Sequence, residues 1–340
     1  MIYAHHEGYL SFNMFTDKEC KMDCDKFDIK QETILIQKSN DLVFYSYELK
    51  ELGRYEISPC KKIKLSENGK YGCVLTSSKE KLLSLYNIES ILFRKSNIAN
   101  FSLSNKYLTY QEGTSVKILN ILSLKEEKEY LSLSYYKSFN NSVLLWESKD
   151  NKIIIYNESF IYEKSFKEIS KVEGKEDDCG NLFVLITSKY VANNYYGHDT
   201  LYYYDSLKKV LKKLEVEYPP LFYDFRRNST VVCSGFQPSK VYLLNKSGEI
   251  IKEYEKGIRN RAYLNNHSNL IAYCGFDNLS GNIEIWDNKT NELLTKFKIK
   301  GASLFEWSPN GSYFIVSTTN YMKIDNEISV YDYYGRKIEE

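Results

Sequence analysis

The stretch that decides the fold is IAYCGFDNLSGNIEIWD, residues 271–287. Its first part belongs to an apolar run over residues 270–276. Its last part, residues 282–286, alternates polar and apolar side chains, as a half-buried β-strand does. The segment DNLSG between them is polar and typical of a turn. The stretch therefore predicts a β-hairpin whose second strand ends in Trp-Asp.

The end of this hairpin is one of eight similar strand ends along the chain. Each is a run of apolar and aromatic residues that is closed by Ser, Asn or Asp. The closing residues are Ser46, Asn87, Asn120, Asn157, Asp205, Asn245, Asp287 and Asp332. Successive spacings are 41, 33, 37, 48, 40, 42 and 45 residues. These intervals lie near the roughly 40–45 residues of a four-stranded propeller blade, so each marker is predicted to end the third strand of its own blade.

A second pattern repeats in phase with the first. It consists of a short strand, a polar turn and an apolar strand, as in YDFRRNSTVVCSG (223–235) and FEWSPNGSYFIVS (305–317). Together the patterns predict an all-β protein, a single closed β-propeller domain over residues 1–340 with four-stranded blades. Eight blades are countable, and residues 1–28 would supply an irregular ninth. The alternative all-β fold, two stacked sandwiches, does not require so regular a period.

Two further features bear on this interpretation of the fold. The charged segments 125–128 and 208–213 are interpreted as connections between strands. Trp146, Trp286 and Trp307 occupy strand positions and are predicted to lie in the core.

Composition restricts the class of protein. The chain has 31 Tyr and 17 Phe, which favours sheet structure. Its net charge is +1, so any contact with RNA depends on a local patch and not on bulk attraction. The N-terminus lacks the apolar core of a signal peptide, and no run approaches the ~20 apolar residues of a membrane span. Seven scattered cysteines fit reduced thiols, and we expect a cytoplasmic protein without a membrane partner.

Sequence motifs for catalysis or metal binding are missing. The chain contains no G-x-S-x-G, no G-x-x-x-x-G-K-[ST] and no H-E-x-x-H sequence. His5 and His6 with Cys20 and Cys24 could be aligned with a zinc site, but adjacent histidines do not fit the spacing of a finger. We therefore expect no enzyme, no cofactor and no metal.

Long loops mark the surface where function is expected. They connect the predicted second and third strands of four late blades, at residues 191–199, 235–240, 275–281 and 319–326. In a propeller such loops emerge on the same face as the connections between blades, so residues 256–261 should join them.

This predicted surface combines aromatic rings with cations. The candidate contact residues are Tyr195, Tyr196, Lys240, Arg259, Arg261, Asn278 and Lys323. Rings and guanidinium planes stack on unpaired bases while cations pair with phosphates, so the pattern favours RNA recognition. The alternative is a set of ordinary solvated loops. Arg226 and Arg227, in a turn on the opposite face, are a weaker candidate.

The last blades resemble a known family. The segments DFRRNSTVVCSGFQPSKVYLLN (224–245), RAYLNNHSNLIAYCGFDNLSGNIEIWD (261–287) and NNYYGHDTLYYYD (193–205) are similar to eukaryotic translation initiation factor 2A. The propeller of subunit b of initiation factor 3 shares the G-N-L-x-G-x-I-E-W-D-like and W-S-P-x-G-x-Y-like segments. The loop GFQPSK, residues 235–240, favours factor 2A over that relative.

The resemblance implies a nine-bladed propeller that binds the small (40S) ribosomal subunit, through rRNA and ribosomal proteins, without enzymatic activity. Initiator tRNA and mRNA are further implied partners, and the protein is expected to be monomeric off the ribosome. Where the family usually has Pro-Arg followed by a basic residue, this sequence has Tyr321-Met322-Lys323. The sequence stops at Glu340, where the family continues into a basic helical extension associated with tRNA and mRNA binding, so a minimal form is expected. The alternative is a protein-interaction scaffold of a multi-subunit initiation complex.

Overall fold

The computed structural model describes residues 2–6, 9–13, 19–188, 198–226, 229–235, 237–318 and 327–339. These residues form 35 β-strands and, within the described ranges, no helix. Accordingly, none of the described segments is a helix able to cross a membrane. The chain divides into two compact units, Met1–Lys167 and Glu168–Glu340.

The first unit contains one three-stranded and four four-stranded sheets. The three-stranded sheet is formed by β1 (Ile2–His6), β2 (Tyr9–Asn13) and β3 (Glu19–Asp23). The next two sheets are formed by β4 (Lys26–Lys30), β5 (Thr33–Lys38), β6 (Asp41–Ser46) and β7 (Glu51–Glu56), and by β8 (Cys60–Leu65), β9 (Gly72–Thr76), β10 (Leu83–Tyr86) and β11 (Ile91–Lys95). The fourth sheet is formed by β12 (Ile98–Leu103), β13 (Tyr107–Glu112), β14 (Ser115–Asn120) and β15 (Lys125–Leu131). The fifth is formed by β16 (Leu133–Ser138), β17 (Val143–Glu147), β18 (Lys152–Asn157) and β19 (Phe160–Ser165).

The second unit contains four four-stranded sheets. They are formed by β20 (Ile169–Glu176), β21 (Leu182–Ser188), β22 (His198–Asp205) and β23 (Val210–Lys213); β24 (Pro220–Arg226), β25 (Ser229–Ser234), β26 (Ser239–Leu244) and β27 (Ile250–Gly257); β28 (Arg261–Leu264), β29 (Leu270–Gly275), β30 (Asn282–Asp287) and β31 (Leu293–Lys298); and β32 (Ala302–Trp307), β33 (Tyr313–Thr318), β34 (Glu327–Asp332) and β35 (Lys337–Glu339).

The order of strands confirms the predicted repeat. Strands in every sheet pair with their sequence neighbours, and the pairs are antiparallel, as in the blades of a β-propeller. All eight markers lie at the end of a third strand. Six are its last residue, and Asn87 and Asn245 follow directly after it. The all-β propeller fold is thus confirmed, while closure of residues 1–340 into one domain stays a prediction.

Two sequence interpretations need correction. The irregular N-terminal blade is the three-stranded sheet that ends at Asp23, because Lys26–Lys30 already begins the next sheet. The charged segments are not mere connections. Lys125–Leu131 and Val210–Lys213 are the fourth strands of their sheets. A fourth strand is largely exposed to solvent, so it lacks the apolar run by which a strand is recognised.

In the four-stranded sheets the core lies mainly on the second and third strands. Every residue of Gly72–Thr76 in the first unit and of Leu270–Gly275 in the second is buried. Trp146 and Trp307 are buried as predicted. Trp286 is only half-buried, against the edge of a cluster that includes Tyr273, and its Nε1 donates to Glu284 at 3.2 Å. The core prediction for Trp286 was therefore too strong.

Candidate functional site

The connection between β27 and β28 is held against two of the predicted loops. On one side, the Arg259 carbonyl accepts hydrogen bonds from Gln237 Nε2 at 3.0 Å and from the Ser239 hydroxyl. On the other side, Asn260 Nδ2 donates to the Phe276 carbonyl at 3.0 Å, and Asn260 Oδ1 accepts from the Phe276 amide at 2.9 Å. The segments 214–219, 237–240, 256–261 and 275–281, with Gly235, form one surface, which we call the rim.

The base of the 276–281 loop depends on a glycine. Gly281 has a φ of +78°, and a Cβ at this position would collide with the carbonyl oxygen of Ile299. Its amide donates to Gly275 O at 2.8 Å, and its own carbonyl accepts from the Ile299 amide at 3.0 Å. Only glycine combines this backbone conformation with such close approach, so the end of the loop is fixed by the backbone.

Lys240 lies on the rim between two carboxylates. Its Nζ is 2.6 Å from Glu253 Oε2 and 3.5 Å from Glu217 Oε2. The hydrogen bond that Lys240 donates to the Glu253 carboxylate is the main cause that raises the pKa of Lys240. Lys256 contacts the same Glu217 at 3.5 Å and donates to the Tyr218 hydroxyl at 3.1 Å. Both lysines remain charged at neutral pH, and both are already ion-paired.

Arg261 is partly exposed and pairs with a loop carboxylate. Its Nη2 lies 3.1 Å from Asp277 Oδ2, and its guanidinium sits 5.4 Å from the centre of the Phe222 ring. This pair links the start of β28 to the 276–281 loop. Asn278, next to Asp277, is exposed at the tip of the same loop.

Arg259 differs from the other candidates because it is buried, with 9% of its surface exposed. Its guanidinium lies 3.9 Å from the centre of the Tyr273 ring, and its Nη2 donates to Glu255 O at 2.9 Å. It packs so closely on Gly257 that a Cβ there would collide with it. Arg259 therefore holds the connection in place, and it is not displayed for contact in this arrangement.

The other predicted contact residues, Tyr195, Tyr196 and Lys323, lie outside the described residues, as does Arg227. Arg226 is described, and its Nη1 is 3.0 Å from Asp224 Oδ1. Burial raises the pKa of Asp224, so this pair is part of the packing of its sheet.

Sequence reasoning missed the carboxylates of the rim and the pairing of its rings with cations. Glu217, Glu253 and Asp277 each neutralise a candidate cation. Lys240 lies 5.3 Å from the Tyr242 ring centre and Lys256 lies 4.8 Å from that of Tyr218. The alternation of Lys240 and Tyr242 along one strand could have indicated a same-face pair, whereas the acidic partners come from other strands and loops.

Comparison with known proteins gives a family for the second unit. The model of the family described as eukaryotic translation initiation factor eIF2A matches residues 164–340. Eukaryotic translation initiation factor 2A of Drosophila melanogaster is 34% identical over 189 residues, which cover 52% of this chain and 29% of that protein. The factor of Caenorhabditis elegans is 32% identical over 153 residues, covering 43% of this chain and 27% of that protein. The chain thus matches under a third of the length of these relatives.

A solved structure agrees over a larger part of the chain. A crystal structure described as that of "the eukaryotic initiation factor" matches with a TM-score of 0.73 and 17% identity, over 94% of this chain and 90% of that one. At this identity the likeness shows the fold alone. The family match begins within a few residues of the boundary between the two compact units, so it covers the half of the chain that carries the rim.

Proposed function

The chain belongs to the eukaryotic translation initiation factor 2A family, and we propose on that premise that it acts in translation initiation by docking on the small ribosomal subunit through the rim. One observation carries the proposal. The family model matches the same unit in which hydrogen bonds join the loops into one surface. Loops positioned by a rigid scaffold are the usual location of binding residues.

The contact residues of this proposal are Lys240, Arg261 and Asn278, together with Tyr195, Tyr196 and Lys323 of the neighbouring loops. Arg259 contributes indirectly by fixing the connection. Docking on rRNA requires phosphates to replace carboxylates as partners of the two described cations. The activity is binding without catalysis, and assistance of initiator Met-tRNA binding is part of the same proposal.

Co-sedimentation with purified 40S subunits at several salt concentrations tests the docking. Replacing Lys240 and Arg261 together by Ala should weaken binding. It should also flatten the slope of log K against log salt by about 1.5 if both cations touch phosphate. The control replaces Lys246 and Lys289, exposed at the other ends of the same two sheets, and should leave the slope unchanged. A double variant that binds like the parent at every salt concentration would refute docking through the rim.

A second function, a protein-interaction scaffold within a multi-subunit initiation complex, is favoured by one observation. The rim cations Lys240, Lys256 and Arg261 all have carboxylate partners within 3.5 Å. Such a neutralised surface suits a protein partner as well as RNA. Ribonuclease treatment of a cell extract separates the two functions, since an association that survives loss of the RNA belongs to the scaffold.

A further inference from the structure

A cavity of about 260 Å³ opens beside the rim in the second unit. It lies between the connection that follows β27 and the second, third and fourth strands of the β28–β31 sheet. Its lining includes Lys256, Ile258, Arg259, Tyr273, Glu284 and Lys296. Of these lining residues, Arg259 is the one that belongs to the predicted RNA contacts.

The charges around the cavity favour an anion. Lys256, Arg259 and Lys296 contribute three positive charges to the lining and Glu284 one negative charge, while Glu217, outside the lining, pairs with Lys256 at 3.5 Å. Lys296 Nζ lies 2.7 Å from Glu284 Oε1, so that carboxylate already has its partner. The excess of positive charge makes entry of a negative group favourable.

Two buried polar atoms of the lining lack partners. Among the described residues, neither Arg259 Nη1 nor the Tyr273 hydroxyl has a hydrogen-bond partner. Burial raises the pKa of Tyr273, so its hydroxyl stays protonated and can donate. An unpaired buried donor is costly, and an acceptor that reached these groups would remove that cost.

The surroundings of the cavity suit a protein segment better than RNA. The ring of Tyr273 is covered by Arg259, and that of Tyr218 by Lys256, so these faces are not free to stack on bases. Ile258, on the lip of the cavity, is 65% exposed. An apolar side chain beside a positive recess matches a segment that carries an acidic residue next to an apolar one.

We propose that this cavity binds the carboxylate of an acidic side chain in a protein partner, whose apolar neighbour packs on Ile258. The proposal names a partner class for the rim and so rests on the proposed function. It assigns part of the docking to ribosomal or initiation-complex protein.

The test uses the isolated protein and two dye-labelled peptides, Gly-Ser-Glu-Leu-Ser-Gly and the same peptide with Gln for Glu. Fluorescence anisotropy should show binding of the Glu peptide that is tighter by about tenfold. Lys256→Glu and Ile258→Ser should each abolish that preference or weaken the binding severalfold. Lys289→Glu, the same charge change in a turn at the other end of the sheet, should not.

Equal affinity for the two peptides, no binding of either, or insensitivity to both variants would overturn the proposal. A labelled oligouridylate that binds and loses affinity in Lys256→Glu would assign the cavity to RNA instead. Co-sedimentation with small subunits is scored separately. If peptide binding behaves as expected while the parent fails to co-sediment, the proposed function fails and the cavity assignment stands. The converse result overturns the cavity assignment alone.

Discussion

The two units of the chain share one blade design and differ in the loops between second and third strands. In the first unit these loops span residues 39–40, 77–82, 113–114 and 148–151. In the second, the described ones span residues 235–238 and 276–281, while nine residues separate β21 from β22 and eight separate β33 from β34. The sheets do not require the additional length, because two-residue loops already connect strands of the same kind. The two longest intervals, of nine and eight residues, lie in the half that the family model matches, and loops on a rigid scaffold are the usual location of binding residues.

The interior, by contrast, repeats between the units. In the first, Lys62 of an innermost strand donates to Phe101 O of the next sheet at 2.6 Å, and its Nζ lies 4.5 Å from that ring centre. In the second, Lys175 donates to Tyr223 O at 3.1 Å and lies 4.5 Å from that ring centre. In both units, a lysine of a first strand thus contacts the carbonyl and the ring of one aromatic residue in the next sheet. The contact between neighbouring sheets is therefore alike in the two units, whereas the number of residues between second and third strands is not.

The largest expected effect tests whether the cores are equivalent. Trp307→Ala should lower the free energy of unfolding by about 3–5 kcal/mol, because the ring is buried against Phe305 and Phe314. Trp146→Ala, in the first unit, should cost a similar amount. Chemical denaturation measures both. Trp286→Ala serves as the control and should cost about 1–2 kcal/mol, since that ring is half-buried. A Trp146 variant as stable as the parent would show that the first unit is less tightly packed.

A smaller effect tests the loops. Asn260→Ala removes both hydrogen bonds to Phe276 and should lower the free energy of unfolding by about 1–3 kcal/mol. Small-subunit binding should weaken as well, because the connection is released from the loop. Asn278→Ala, at the exposed tip, should leave stability unchanged. If Asn260→Ala weakened neither property, the rim would not depend on this link.

Two Trp→Phe substitutions compare the hydrogen bonding of the buried tryptophans in the two units. Trp307 Nε1 donates to Tyr263 O at 3.2 Å, whereas Trp146 Nε1 is buried without a partner among the described residues. Trp307→Phe removes one hydrogen bond to the Tyr263 carbonyl, and Trp146→Phe removes an unpaired donor. We expect Trp307→Phe to cost about 1 kcal/mol more. Parallel thermal melts measure the difference, and a larger loss in Trp146→Phe would contradict the assignment of these bonds.

The smallest effect concerns alkaline pH. Burial lowers the pKa of Lys62 from its ordinary value of 10.5. Between the lowered pKa and 10.5 the unfolded chain binds more protons, so this group makes stability rise with pH in that window. Lys62→Met should lose this rise, by less than about 1 kcal/mol once solvent screening is counted. Burial also lowers the pKa of Lys175, so Lys175→Met should behave alike. If one lysine made stability rise with pH and the other made it fall, the two lysines would not be equivalent.

Much of the fold could be predicted because the turns that end the third strands are stabilised by residues close together in the sequence. Asp287 Oδ1 accepts hydrogen bonds from the amides of Lys289 and Thr290, both at 2.8 Å, and these bonds lower the pKa of Asp287. Asn87 Oδ1 accepts from the amides of Glu89 and Ser90 in the same way. A short polar side chain that accepts hydrogen bonds from the amides two and three residues later can be recognised from a few consecutive residues of the sequence. The third strands could therefore be counted from the sequence.

The fourth strands and the chemistry of the rim could not be predicted in this way. Lys125–Leu131 has no apolar periodicity, since its environment is mostly water. The pairing of Lys240 with Glu217, or of Arg259 with the ring of Tyr273, depends on strands and loops brought together by the sheets. Sequence located the described loops 235–238 and 276–281 to within two residues, but it could not show that the nearby Arg259 is buried.

The side chain of Asn260 stands in for a peptide unit, because its amide group pairs with both the N–H and the C=O of Phe276. With Gly281 anchoring the other end, the loop is attached at its base by groups that do not involve the side chains of residues 278–280. The tip can therefore accumulate substitutions or insertions without loss of the attachment. The loop is in effect a replaceable insert on a constant scaffold.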